Sequence, residues 1–455
     1  MKKIIGNLLI GCVLLFGASE VDVKSNNIQQ YNADPIEIWK DKFVEKYGPF
    51  GVTDKKGRTF FYGEAVVNVS PLDPAYVKEL VIAYEKALLN MQADFILQTF
   101  GKESVKKLYE TFEDDSTNAD KFPPLKEAED MAQKGKIAVI MDKFLDVVEN
   151  SLDQKLIEQG VSPEKLKKMT VEQKKQLFKD NFSTSIAKEA FNSMSGLVPF
   201  SVKVATVDTG MGKATKVAVI AIQSPKTIQF AKDIARGRPT NVRGKPKSLR
   251  DILPKTKEDY LKEIGLRYTY DEQGRPMLIS YGMWSVVLNT KNPTRYMKKI
   301  AIAKRKAKLR AESYIGDFIK TNIQAVESQD VESVNEEIAK KITTLGAGSE
   351  DVQKIKEDIK DTIDKYFKKI KATSNFRLKG TSEVYNWDYK DKNNLVYVGS
   401  VVTWSYGQFN NANRYIKMKN SQNIINKPKV QKVHQNHAAP EINRESKIIN
   451  DVEDF

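Results

Sequence analysis

The chain has 455 residues, of which 40% are hydrophobic and 29% charged, and a formal net charge of +15. These totals exclude a single small domain and a mainly disordered chain, and fit two domains with a linker and a tail, each half long enough for its own core. The positive balance implies an anionic environment or partner and says nothing about the fold.

Lys2 and Lys3, the apolar run Ile4–Phe16 broken by Asn7, and the small residues Gly17, Ala18 and Ser19 follow the order of a secretory signal over 1–19. The run is too short to span a bilayer comfortably as a mature helix. It holds the single cysteine, Cys12, and Leu9-Ile10-Gly11-Cys12 also fits a lipoprotein processing box, which would make Cys12 a lipid anchor. Because the apolar stretch before Cys12 is short and continues beyond it, cleavage near Ser19 is the primary expectation. The mature chain then has no cysteine, which excludes disulfides and thiolate catalysis. The expected location is the periplasm or cell envelope, with a Cys12-anchored lipoprotein as the alternative.

Residues 20–50 read as a polar segment followed by a short amphipathic helix from Pro35 to Tyr47, with Ile36, Trp39, Phe43 and Val44 on one face. A first module is expected over 51–236. In it a turn at Asp54–Gly57 precedes a strand over Thr59–Val69, and Asp73-Pro74 starts a long helix through Phe95. Residues 101–195 read as a helical insertion, with helix starts at Ser162-Pro163 and Thr170–Gln173. Short β-rich runs, Val202–Val207 and Lys216–Ile222, then flank the glycine-containing turn Asp208–Gly212 as a hairpin. The basic stretch 237–256, rich in Gly and Pro, is expected to be a linker. The second module, 257–418, repeats the plan: a turn at Asp271–Gly274, a strand around Met277–Leu288, a long helix Tyr296–Ile319, a charged helical insertion over 331–372, and a hairpin of Glu383–Tyr389 and Leu395–Trp404. Residues 419–455 are expected to form a disordered tail.

The two modules share landmarks in one order. Asp54-Lys-Lys-Gly57-Arg58, Tyr62-Gly63, Asp73-Pro74-Ala-Tyr76, Ala83, Ala87 and Asp94-Phe95-Ile96 answer to Asp271-Glu-Gln-Gly274-Arg275, Tyr281-Gly282, Asn292-Pro293-Thr-Arg-Tyr296, Ala303, Ala307 and Asp317-Phe318-Ile319. Val217–Ser224 likewise answers to Val398–Ser405. This is the signature of an internal repeat. It predicts an α+β fold of two tandem related modules, each a small antiparallel sheet packed by one long helix, with helical insertions.

Catalytic constellations are sparse. The two histidines, His434 and His437, fall in the expected tail, without further ligands nearby for zinc. A Ser-His-Asp apparatus therefore has no histidine in the folded body. Asp208–Thr215 departs from the phosphate-loop pattern at Val207 and Ala214 and reads as a hairpin turn. Asp54, Asp271, Asp94 and Asp317 recur as carboxylate pairs, a pattern that acid–base chemistry uses, but turns and helix ends use it too. Tyr385, Trp387 and Tyr389 share one strand face, expected to pack under the long helix. No catalytic, metal or cofactor site is assigned. Lys298, Lys299, Lys304, Arg305, Lys306, Lys308 and Arg310 make the second long helix basic, opposite the stripe Ala303, Ala307 and Ala311. They form the candidate anion-binding set.

The alanine-spaced helix Tyr296–Ile319 and the hairpin through Trp404 resemble a bacterial envelope lipoprotein domain family, some of whose members assist flagellar assembly. The resemblance covers the module cores and implies an envelope location with a structural or binding role. The expectation is an exported, non-enzymatic envelope protein contacting anionic lipid, polysaccharide or an acidic envelope protein. A periplasmic carboxylate-dependent hydrolase or transferase with a site between the modules is the second reading, and a basic nucleic-acid binder the third. The third is disfavoured by the absence of interleaved aromatics.

Overall fold

A computed structural model describes residues 34–455 except 72, 113–120, 149–150, 209–211, 237, 288–291, 325–329, 346–351, 374–379, 392–394 and 410–442. The N-terminal residues 1–33 with Cys12, His434 and His437, and the tip of the Asp208–Gly212 turn lie outside the described residues.

The described residues open with α1 (Pro35–Tyr47), capped by Asp34, and β1 (Thr59–Val67). The long α2 (Tyr76–Phe112) leads into the first insertion: α3 (Leu125–Gln133), α4 (Ile137–Val147), α5 (Leu152–Glu158), α6 (Pro163–Leu166) and α7 (Val171–Ser193). Thr170 and Gln173 close the capping box that opens α7. Then come β2 (Val198–Asp208), β3 (Lys213–Gln223), α8 (Pro225–Ala235) and the short helices α9 (Leu249–Ile252) and α10 (Lys257–Tyr260). The second half is β4 (Gly265–Tyr270), β5 (Pro276–Val287), the long α11 (Pro293–Gln324), the insertion helices α12 (Asp330–Leu345) and α13 (Val352–Thr373), β6 (Thr381–Lys390), β7 (Leu395–Ser405) and the short β8 (Asn443–Glu445).

Among the described residues the strands form two four-stranded antiparallel sheets, ordered β1-β3-β2-β8 and β4-β5-β7-β6. The fold is α+β, and three strands of each sheet, β1-β3-β2 and β5-β7-β6, repeat one plan down to single residues, while the fourth strands, β8 and β4, add at opposite edges. Gly63 pairs with Val219 in one and Gly282 with Ser400 in the other, so Val217–Ser224 and Val398–Ser405 occupy equivalent positions. A β-bulge interrupts β2 between Pro199 and Ser201, opposite Ala221 and Ile220. Its counterpart in β6 lies between Glu383 and Tyr385, opposite the equivalent Val402 and Val401. Ser224 caps α8 through the N–H of Thr227, and Ser405 accepts the N–H of Gln408 in the same way.

The turns before β1 and β5 are also alike. Asp54 accepts hydrogen bonds from the N–H groups of Lys56 and Arg58 and from Arg58 Nε, while Gly57 takes a positive φ of 76°. Asp271 accepts from Gln273, Arg275 and Arg275 Nε around Gly274 at φ 69°. Only glycine takes such a φ without strain.

Each long helix crosses its sheet over a glycine. A Cβ on Gly63 would stand 2.3 Å from the carbonyl oxygen of Ala87 and 2.5 Å from the nitrogen of Met91. One on Gly282 would stand 2.1 Å from the oxygen of Ala307 and 2.5 Å from the nitrogen of Ala311. This registers Ala83 and Ala87 with Ala303 and Ala307. The Asp-Phe-Ile landmark does not share that register. Asp94 and Asp317 lie three residues apart along helices that have no break between the alanines and the aspartates, so their similarity in sequence is not equivalence in structure.

Other expectations also need correction. The modules do not have separate cores. One apolar core joins residues of both sheets, from Phe60 and Val219 to Tyr281 and Val402, and a second joins both insertions, from Phe144 and Phe191 to Ile342 and Ile359. The 237–256 stretch is not a free linker: Thr240 and Val242 are buried, and the N–H of Gly244 bonds to Gly274. The expected disordered tail fails over its last residues. β8 adds to the edge of β2, Asn450 accepts from Thr269 and donates to the Tyr268 carbonyl, and Phe455 is buried against Phe200 and Tyr268. A polar segment without apolar period is held here by edge-strand pairing and buried hydrogen bonds, not by a core of its own. Trp387 and Tyr389 are buried, but on the sheet face away from α11, where Trp387 lies over Gly399 beside Tyr260; Tyr385 stacks on Tyr260 at 4.8 Å.

Two outcomes follow. Gly63→Ala and Gly282→Ala should each destabilise the protein by at least the ~1–3 kcal/mol of an overpacked core. Gly316→Ala, where an added Cβ meets nothing within 4 Å, should be neutral or slightly stabilising. Urea unfolding midpoints compare the three.

The second concerns Asp54. Burial pushes its carboxyl up, but the hydrogen bonds from the Arg58 backbone and guanidinium and from Lys56, with the Arg58 charge, outweigh this and hold it below the usual carboxylate value. A lowered folded value means that the stabilisation is complete above the unfolded pKa and is lost as pH falls through the folded one. Asp54→Asn should therefore cost about 1 kcal/mol at neutral pH, and the gap to the unsubstituted protein should close in acid. A gap independent of pH would assign the cost to the turn's shape.

Candidate functional site

The basic helix α11 divides by face. Ala303, Ala307 and Ala311, spaced by four, are buried against β5 and β7, as the small-residue stripe predicts. The candidate cations do not behave as one set. Lys304 lies 3.8 Å from Asp388 and donates to Asn386, Lys308 lies 3.8 Å from Glu383 and 3.9 Å from Glu312, and Arg310 reaches Glu85 of α2 at 2.7 Å. Lys299 donates to the Val287 carbonyl, and the ammonium of Lys306 sits 4.5 Å from the centre of the Trp284 ring. These five are engaged by the fold itself.

Lys298 and Arg305 are different. Both are exposed, and neither has a side-chain partner among the described residues. They alternate with Ile302 and Leu309, each 57% exposed, at positions four, three and four apart, which is one stripe on the helix surface. Met297, 63% exposed, borders that stripe at its N-terminal end. The outward ridge of α11 thus joins two free cations to three exposed apolar side chains. The sequence reading found the cations and missed the apolar residues, although the spacing of Ile302 and Leu309 off the alanine stripe was there to be read.

The carboxylates singled out in sequence have local partners. Asp54 and Asp271 hold their own turns. Asp94 accepts from Gln98 and pairs with Lys356, and Asp317 accepts from Ser313. Glu263 is buried with Arg267 at 3.3 Å and accepts the N–H of Lys447; burial pushes its carboxyl up while the guanidinium opposes this. β2 and β3 run directly into the Asp208–Gly212 turn, so that segment closes a hairpin and does not open a helix.

Residues 137–236 match a family described as a domain of unknown function (DUF6844). No curated protein matches. A 2.3 Å crystal structure of the hypothetical protein FTT1539c from Francisella tularensis is similar, with a TM-score of 0.51 and 21% identity over 84% of this chain and 94% of that one. At that identity the likeness is one of fold.

Arg310→Ala should cost about 0.5–1 kcal/mol, as a partly exposed ion pair between α2 and α11 is lost. Lys298→Glu and Arg305→Glu should each change stability by no more than about 0.5 kcal/mol. Thermal unfolding of the three variants tests the division.

Proposed function

We propose that the protein is an exported, non-enzymatic binding protein of the cell envelope that contacts an anionic lipid surface through the outer ridge of α11. The observation that carries this reading is the interleaving of Lys298 and Arg305 with Ile302 and Leu309 on one exposed stripe. Cations alone would suit any polyanion. Apolar side chains between them suit a surface whose charged headgroups lie above acyl chains, because each residue type then has its own layer. The net charge of +15 favours approach to such a surface at long range. The N-terminal sequence, read as a secretory signal, supports an envelope location. No helix among the described residues is long and apolar enough to cross a membrane.

Sedimentation with vesicles of phosphatidylglycerol and of phosphatidylcholine provides the test. The protein should bind the anionic vesicles and release as salt rises. Replacing both Lys298 and Arg305 by Gln should weaken binding about thirtyfold, from ~1 kcal/mol for each basic residue at an acidic surface. Ile302→Ser with Leu309→Ser should weaken it at constant charge. Equal binding to neutral vesicles, no effect of either pair, or binding to an acidic polysaccharide but not to vesicles would overturn the proposal.

A further inference from the structure

Residues 443–455 lie across both halves of the molecule as a peptide lies in a groove. Apart from the bonds within its own last turn, the hydrogen bonds of this segment go to residues between Trp39 and Tyr270, none nearer than 181 positions in sequence. Among the described residues no hydrogen bond ties it to α11, α12, α13, β6 or β7, which precede it. β8 pairs with Lys203, Val204 and Ala205 at the outer edge of β2. The next residue, Ser446, donates its N–H to the Val202 carbonyl and accepts the Val202 N–H on its hydroxyl. Val452 and Phe455 are the buried apolar anchors, the Phe455 ring lying 5.8 Å from Phe200 and 5.5 Å from Tyr268.

The groove is basic where the segment is acidic. Lys203 lies 3.4 Å from Glu445, Lys56 and Arg58 reach Glu453, and Lys247 lies 2.6 Å from Asp454. Lys226 donates to the Asp454 carbonyl, Arg58 to that of Val452, and Lys247 also to the Ile449 carbonyl and Asn450 Oδ1. Five cations thus converge on a segment whose four carboxylates, Glu445, Asp451, Glu453 and Asp454, outnumber its two cations, Arg444 and Lys447.

Two apolar anchors and a set of ionic and polar bonds are a lighter hold than a core. Elements with few buried apolar contacts open before the whole molecule unfolds. Opening here would bare the edge of β2 together with Phe200 and Tyr268. A bare strand edge beside an apolar pocket is what a strand-adding peptide requires. Residues 410–442 lead to the segment, a length that can span up to about 110 Å when extended, so the covalent connection does not confine the segment to one groove.

We propose that this groove is a strand-accepting site for an acidic peptide, and that its occupant is exchangeable, the same segment of a second copy filling it when copies are crowded. Reciprocal exchange keeps every contact and changes only which copy supplies the segment. The two arrangements differ by the effective concentration of the tethered segment, which is on the order of millimolar or below. The monomer therefore prevails in dilute solution, and an exchanged dimer takes over as protein approaches that concentration. No residue of the groove lies on α11, so this site stands or falls independently of lipid binding.

The test uses the full chain with a protease site placed within residues 410–442 and cut after folding. The cut segment should remain bound on gel filtration in low salt. A fluorescent peptide of residues 443–455 should then replace it saturably, more weakly as salt rises, and a scrambled peptide of the same composition should not. Lys226→Ala with Lys247→Ala, whose ammonium groups bond only to the segment among the described residues, should weaken the peptide about tenfold or more. Before cutting, light scattering at millimolar concentration should show a dimer. Cutting should turn it into particles of monomer size, which it would not do to a dimer joined through another surface. The proposal is overturned if the peptide fails to replace the segment, if the scrambled peptide binds as well, if no dimer forms, or if the dimer survives cutting. Unfolding of the chain on cutting would overturn it too, because the segment would then be a fixed part of the fold.

Discussion

In each half of the molecule a strand backbone is pressed against a helix backbone with no side chain between them. Gly63 under α2 and Gly282 under α11 make this contact, and any side chain there would enter the helix backbone. Much of the architecture follows from it. A helix this close must show small residues to the sheet, which Ala83 and Ala87 supply in one half and Ala303, Ala307 and Ala311 in the other. Close packing of backbone on backbone fixes the helix along its axis, because sliding by a residue would bring a larger side chain over the glycine. The bulges in β2 and β6, opposite equivalent residues of the central strands, repeat alongside this contact.

The two repeats are nevertheless one body from Asp34 onward. The ring of Tyr84 sits against Gly265, where a Cβ would be 2.0 Å from it, and the Tyr84 hydroxyl accepts the N–H of Leu266. Tyr84 also meets Tyr314 edge-on at 5.3 Å. The C-terminal residues reinforce this junction. They extend the first sheet through β8, while Asn450 bonds into β4, Lys247 reaches Asp454 at 2.6 Å, and the Tyr270 hydroxyl donates to the Asp454 carbonyl. Burial pushes the Tyr270 phenol up to about 12, so it remains a donor throughout the physiological range.

What the sequence disclosed follows the strength of local pattern. The helix Pro35–Tyr47, the hairpins, the long helices and the alignment of Val217–Ser224 with Val398–Ser405 rest on periodicity, caps and turn residues, and these are local. β4 escaped notice because Gly265–Tyr270 is short and runs straight into the Asp271 turn. β8 and Asn450 escaped because their partners are far away in sequence, and the apolar residues beside them, Ile449, Val452 and Phe455, pack into the shared core and form none of their own. The merging of the cores was hidden for the same reason: an amphipathic stripe shows that a helix is covered, not by what. Of the candidate cations, sequence gave the charge but not the pairing. Arg310 and Lys304 are neutralised by Glu85 and Asp388, from other elements.

Comparison of the repeats gives the outer ridge of α11 its meaning. With Ala87 registered on Ala307, the residues Lys298, Ile302, Arg305 and Leu309 correspond to Lys78, Ile82, Glu85 and Leu89 of α2. The apolar positions are retained in kind, yet on α2 neither Ile82 nor Leu89 is fully exposed, and Glu85 is the partner of Arg310. On α2 this ridge therefore serves the junction between the halves, and a carboxylate stands where α11 has Arg305. Two copies of one helix cannot both present the same ridge to each other in an asymmetric pairing. One is used inside, and its counterpart is left facing outward. The exposed apolar and basic side chains of α11 are in this sense the unmatched half of an internal contact.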